Sequence, residues 1–239
     1  MRAWKIKTKV KTNLSKSILR IKEEILILKN KRKYNSNITI VAATKTQSFS
    51  TIKQCYDLGI QCIGENRVQE AEKKFESFEK MPDIQRRFIG HLQRNKVKKC
   101  LNLFDTIDSI DSLKLAKKIS NTANQSKKIV IGLIEINTSK EPQKKGFNIE
   151  NIDEIIACLN LSNLEIKGLM TLGPNTKEKT EIRESFSKLR SLKDQINADY
   201  NKGLTELSMG MSGDYDIAIE EGSTMVRLGT VLFGSRNRL

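Results

Sequence analysis

The feature that most constrains this fold is a repeated change of hydrophobic period along the chain. Short apolar, β-branched-rich runs stand at 38–43, 62–64, 88–90, 104–107, 129–136, 166–172, 204–209 and 225–228. Between several of them the period switches to that of a helix. Leu14, Ile18, Ile21, Ile25 and Leu28 predict an amphipathic helix over 13–31. Further helices are expected over 111–122, opened by an Asp111 cap, over 151–159, and over 180–198, where Ile182, Phe186, Leu189 and Ile196 share a face. Strand then helix, repeated about eight times over ~200–250 residues, is the pattern of a parallel barrel. An open doubly wound sheet has the same local pattern. With only 3 Pro and 13 Gly, no linker divides the chain. The expectation is one α/β domain spanning 1–239: a (β/α)8 TIM barrel with an additional N-terminal helix, residues 1–12 forming a basic arm.

Charge narrows the function classes. The net charge of +15 invites a nucleic-acid or membrane-surface reading. However, Lys is interleaved with Glu throughout, as in Glu70-Ala71-Glu72-Lys73-Lys74, which marks solvated helix faces. Only Lys5 through Lys11 could form a nucleic-acid-binding arm, so nucleic acid is not expected as a partner. Cys55, Cys62, Cys100 and Cys158 are scattered, and His91 is the sole histidine, so zinc-site spacing is absent and reduced thiols are expected. No apolar run approaches membrane-spanning length, and a cytoplasmic location is expected.

A barrel collects its chemistry at the C-terminal strand ends. That rule singles out Lys45, Glu65-Asn66, His91, Asp108-Ser109, Asn137, Met170-Thr171, Ser208-Met209 and Arg227. The segment 207–230, LSMGMSGDYDIAIEEGSTMVRLGT, carries the richest pattern. Gly210, Ser212 and Gly213 ahead of a short Asp214 helix, with Gly229-Thr230 after the last strand, suit a phosphate cradle or an ordinary capped turn. Arg227 lies in an otherwise apolar strand, where a buried guanidinium needs a partner: Asp105, Asp108 or a ligand acceptor. A lysine in a partly desolvated pocket beside another cation becomes a nucleophile towards carbonyls. Pyridoxal 5'-phosphate would satisfy the lysine, the cradle and the arginine together. A lysine-based aldolase has a similar outline.

At this point the chain resembles the YggS/PROSC family of pyridoxal phosphate homeostasis proteins, whose barrel is similar to the alanine racemase N-terminal domain. The matching motifs are VAATKT (41–46), IGENRVQE (63–70), FIGHLQRNK (88–96), IDS (107–109), INTS (136–139), GLMTL (168–172) and the long block at 207–230. The resemblance implies that Lys45 forms the internal aldimine and that Ser212, Gly229 and Thr230 hold the phosphate. It also implies that Arg227 faces the pyridine nitrogen and that Asn66, Met209 and Met170 line the cofactor. His91 falls in the GHLQ motif, where a wall role is expected. Arg67 stands where many members carry tyrosine, and Arg86-Arg87 replaces an aromatic-histidine pair, departures expected to alter wall contacts.

The expected role is to hold the cofactor and take part in its intracellular homeostasis, without classical enzyme turnover. An arginine at the ring nitrogen makes a poorer electron sink, and no second domain is expected after Leu239 to deliver an opposed base. A monomer is expected, with cofactor-requiring apoenzymes as recipients. The alternative is a weak amino-acid racemase; an RNA-binding protein is a third reading.

Overall fold

The computed structural model describes residues 13–32, 37–75, 78–139, 141 and 143–234. The basic arm expected at 1–12 lies outside the described residues. The strands are β1 (Thr39–Ala43), β2 (Cys62–Glu65), β3 (Gln85–Phe88), β4 (Thr106–Ile110) and β5 (Val130–Asn137), then β6 (Phe147–Asn148), β7 (Leu164–Met170), β8 (Glu206–Met211) and β9 (Met225–Leu228). All pair in parallel, in the order β4-β3-β2-β1-β9-β8-β7-β5, and a further β4–β5 pairing closes the ring. The two residues of β6 pair with β5 outside that ring. The expected eight-stranded barrel is therefore the observed one, and the open sheet is not.

The helices are α1 (Asn13–Arg32), α2 (Phe49–Asp57), α3 (Val68–Phe75), α4 (Val97–Leu103), α5 (Leu113–Gln125), α6 (Ile152–Leu159), α7 (Lys179–Tyr200), α8 (Tyr215–Glu220) and α9 (Thr230–Phe233). The expected N-terminal helix is α1, which buries Ile18, Ile21 and Ile25 and packs against α8 and α9. Helices α2 to α4 bury only two or three side chains each, too few for a 3.6-residue period to stand out in the sequence. The α5 cap is Ser112, whose hydroxyl accepts from Leu115 N at 3.3 Å, rather than the expected Asp111. Strand β3 begins at Gln85, ahead of its apolar run, because Arg87 can face inward once its charge is matched.

Alternation along each strand sorts the side chains into two cores. Ala42, Ile63, Phe88, Ile107, Leu169, Leu207 and Val226 join the helices in one large hydrophobic cluster. Val41, Cys62 and Met225 form a separate small cluster. They point inward, since register pairs Thr39 with Met225 and Val41 with Arg227. Towards the C-terminal strand ends the interior changes character. Barrel interiors are dominated by Val, Ile and Leu, whereas here Arg87, Asp108, Glu135 and Arg227 are all buried. No helix among the described residues is long and apolar enough to cross a membrane.

Candidate functional site

Lys45 occupies the turn that leaves β1, partly buried, and its neighbours are held firmly. The Thr44 hydroxyl donates to Glu65 Oε1 at 2.7 Å, and Lys74 Nζ donates to both Glu65 Oε1 (2.8 Å) and the Thr44 carbonyl (2.9 Å). Gln47 N closes the turn on Thr44 O at 2.9 Å. Thr46 takes φ 68°, the left-handed region that a β-branched residue adopts only under strain. Strained backbone of this kind clusters at functional sites. A run of local constraints therefore fixes where the lysine leaves the strand.

Next to β1 lies β9, and Arg227 on it is 4 % exposed. Neither Asp105 nor Asp108 bonds to it directly, the pairing that the sequence suggested. Its Nη1 donates to Ser208 O and Oγ, each at 2.7 Å, and its Nη2 to Thr171 O at 2.7 Å. Nε makes no hydrogen bond among the described residues. Thr171 is itself fixed: its hydroxyl donates to Ile136 O at 2.7 Å and meets Thr138 Oγ1, which in turn meets Ser185 Oγ. Desolvation lowers the Arg227 pKa, opposed by the fields of Asp108, Glu135 and Asp214.

Beneath it, the unusual Arg86-Arg87 pair splits. Arg86 faces out and chelates Asp105. Arg87 enters the barrel, donating to Asp108 Oδ2 at 2.7 Å and to Glu206 Oε2 at 2.9 Å. This departure thus places an ion pair in the barrel interior.

The segment after β8 is organised around one hydroxyl. Ser212 Oγ accepts from Gly229 N at 3.1 Å and from Val231 N at 3.3 Å. With both lone pairs used, its own hydrogen is left to donate outward. A methyl group on Gly229 would lie 3.7 Å from Ala43 Cβ, so this turn abuts the end of β1. A methyl group on Gly213 would meet nothing within 4 Å, an open edge of the turn. Thr230 is exposed at the start of α9, where the first N–H groups lack helical partners.

Lys45, Asn66, Arg227, Ser212, Gly229 and Thr230 thus lie on four neighbouring strands, β2, β1, β9 and β8, or in the loops leaving them at one mouth. Met209 does not join them. It is 0 % exposed in the large hydrophobic cluster, because Ser208 before it faces inward to Arg227. A register shift follows, at Gly210 with φ +94°, and brings Met211 opposite Arg227. Met211 is 38 % exposed and is the methionine available to a ligand. A one-residue bulge leaves no reliable trace in a short strand pattern, so the inward placement of Met211 was not legible in the sequence. Met170, in register with Glu135, is buried inside the barrel.

The other side of the mouth holds His91, 52 % exposed at its side chain, whose Nδ1 meets Asp111 Oδ2 at 2.9 Å. It lines a cavity of about 400 Å³ with Asn66, Phe88, Gly90 and Leu92. Glu135, absent from the sequence-derived candidates, is 5 % exposed on β5. Burial, and then the charge of Asp111, push its carboxyl up to about 7, against the pull of Arg227 and Lys145. Among the described residues no group of three or more His, Cys, Asp or Glu is arranged to hold a metal ion.

The donor set suits a phosphorylated heteroaromatic aldehyde. It combines an outward-donating Ser212 hydroxyl and a buried guanidinium with Nε uncommitted, beside one acceptor, the Asn66 Oδ1, which is buried with no partner among the described residues. Residues 20–237 match the family described as alanine racemase, N-terminal domain. The chain is 41% identical over 198 residues to the pyridoxal phosphate homeostasis protein of Aquifex aeolicus (strain VF5), covering 82% of this chain and 86% of that protein. It is 40% identical over 201 residues to the protein of the same name from Synechocystis sp. (strain PCC 6803), covering 84% and 92%. Among solved structures, PipY of Synechococcus elongatus PCC7942 with PLP bound is 28% identical, with a TM-score of 0.83 over 93% of this chain and 100% of that one. Alanine racemase of Clostridium difficile 630, 17% identical, shares the fold with a TM-score of 0.75, over 94% of this chain and 60% of the racemase.

Proposed function

The chain belongs to the family of pyridoxal phosphate homeostasis proteins, built on the alanine racemase N-terminal domain, and we propose that it binds pyridoxal 5'-phosphate through Lys45 and holds it for intracellular supply rather than turning over a substrate. The cofactor supplies an aldehyde, with which a primary amine condenses as water leaves. In this reading the amine is Lys45, and Ser212, Gly229 and Thr230 receive the phosphate. Arg227 presents Nε to the ring nitrogen, while Asn66 lines the ring. Met211 takes the lining position expected for Met209. The single observation that carries the reading is the adjacency of the Ser212–Gly229 turn to the end of β1, with Arg227 buried beside both.

Two considerations support holding over turnover. A guanidinium facing the ring nitrogen leaves that nitrogen unprotonated, which weakens its capacity to withdraw electrons. The Aquifex and Synechocystis relatives carry the name of homeostasis proteins, not of enzymes. The site would then pass its cofactor to apoenzymes that require it.

The test is optical. The purified protein loaded with pyridoxal 5'-phosphate should show an imine absorption band that borohydride fixes covalently at Lys45, and Lys45→Ala should lack both. A band that persists undiminished in Lys45→Ala would reject the assignment. Racemase-like turnover is the second reading, favoured by the buried Glu135 carboxyl on the strand directly across the barrel from Lys45. Racemisation of a single-enantiomer amino acid well above the rate with free cofactor, lost in Lys45→Ala, would establish it.

A further inference from the structure

In the closed ring, β5 lies four strands from β1 in either direction, so Glu135 and the Lys45 turn occupy opposite sides of one mouth. Register confirms that Glu135 points inward: it pairs with Met170, and Met170 pairs with Ser208, whose hydroxyl touches Arg227. The neighbouring carboxylates each have a donor of their own. Asp108 takes Arg87 and Thr106, Asp111 takes His91 and Ser112, Asp214 takes Met211 N, and Glu206 takes Arg87. Glu135 has none among the described residues. The groups facing it are Asp111 from the end of β4, Lys145 from the loop before β6, and Arg227 from β9; on β7 its register partner is the neutral Met170.

Among these carboxyls Glu135 is therefore the buried one that no hydrogen-bond donor meets among the described residues. An ionised Glu135 is desolvated and sits in the field of Asp111, and an anionic ligand entering the mouth would add a second repulsion. Building on the function proposed above, we propose that Glu135 is a binding residue of this site that acts as a neutral acid, so that docking of the anionic phosphorylated cofactor is coupled to uptake of one proton from solvent onto its carboxylate. The proton neutralises the carboxylate as the ligand's negative charge enters the mouth, and it leaves to solvent when the ligand does. Its carboxyl, held near 7, is poised for this exchange at neutral pH. By linkage, affinity falls by up to about tenfold per pH unit above the free protein's transition. Release is then favoured on the alkaline side.

The test compares wild type with Glu135→Gln, which keeps the shape and removes the proton. Pyridoxal 5'-phosphate binding is followed by its protein-bound absorption band between pH 6 and 9. Ratios of the two dissociation constants at each pH cancel the cofactor's own ionisations and those of Lys45. The expected result is a ratio near one at pH 6, with wild type weakening about tenfold per unit relative to Glu135→Gln above pH 7. Asp111→Asn should move the transition to lower pH, because it removes a charge that raises the Glu135 pKa.

A cofactor-free measurement guards the conclusion. A carboxyl whose folded pKa lies above its unfolded value makes the native state less stable as pH rises between the two. Glu135→Gln should therefore gain stability relative to wild type between about pH 4.5 and 7 and keep that gain above it. A pH-independent ratio, or a stability difference that does not vary with pH, overturns the proposal. A bound band missing from wild type at every pH overturns both this proposal and the function it rests on, while a normal band with a flat ratio overturns this one alone.

Discussion

Replacing Arg87 by methionine tests the claim that the barrel interior is held by matched charge rather than by apolar packing. Arg87 is buried, and its partner Asp108 is 0 % exposed. The pair is 2.7 Å apart, and a second bond of 2.9 Å reaches Glu206. Removing the guanidinium leaves Asp108 with one donor, the Thr106 hydroxyl at 2.9 Å, in a region without water access. Glu206, with 29% of its side chain exposed, can be hydrated instead. Breaking a buried pair from one side costs about 3–5 kcal/mol, because the charge left behind is uncompensated. For a chain of this size that lowers Tm by roughly 6–20 °C. Urea denaturation of the cofactor-free protein, followed by circular dichroism, measures it directly. Asp108→Leu in the same background should recover much of the loss, since the pair as a whole contributes little net stability against an apolar replacement. The coupling energy between the two sites should then exceed about 1 kcal/mol. A cost for Arg87→Met below about 1 kcal/mol, or strict additivity in the double variant, would refute the reasoning.

Two further outcomes follow from other parts of the molecule. Ser212→Ala should release the Gly229 and Val231 N–H groups and remove the outward donor, costing stability only about 0.5–1.5 kcal/mol per lost bond. It should weaken cofactor retention in equilibrium dialysis far more than it shifts the urea midpoint; equal retention would discount the turn as a phosphate cradle. The Cys55, Cys62 and Cys158 thiols are each pushed up to about 12 by burial, and burial raises Cys100 as well. At pH 8 roughly one in ten thousand of such thiols is ionised, so a thiol reagent should label the native protein very slowly and all four cysteines promptly in denaturant. Rapid native labelling of any one would show that its strand or helix opens readily.

The alternation of strand and helix, the N-terminal helix and the approximate strand positions were legible in the sequence, because each rests on local periodicity. Cys62, Ile129 and Met225 announce their strands within a few residues, and Asn151 and Asp214 sit at caps near the helices they open. Lys45, Ser212 and Arg227 were singled out by their places at a strand end, in a Gly-flanked turn and in an apolar strand, and motif order did the rest. What the tertiary structure alone decided depends on partners distant along the chain. Arg87 reads as part of a basic dipeptide until Glu206, 119 residues later, is brought against it. A bulge visible only in register with β9 brings Met211 to the face that carries Ser208 and Arg227. Glu135 sits in an apolar strand and looks like an ordinary alternating residue. Only ring closure, which sets β5 across from β1 and beside Asp111 and Arg227, makes it a desolvated carboxyl without a donor. Local sequence determines which elements form and where their ends lie. The energy of a buried charge depends on every charge around it, and those neighbours exist only once the barrel has closed.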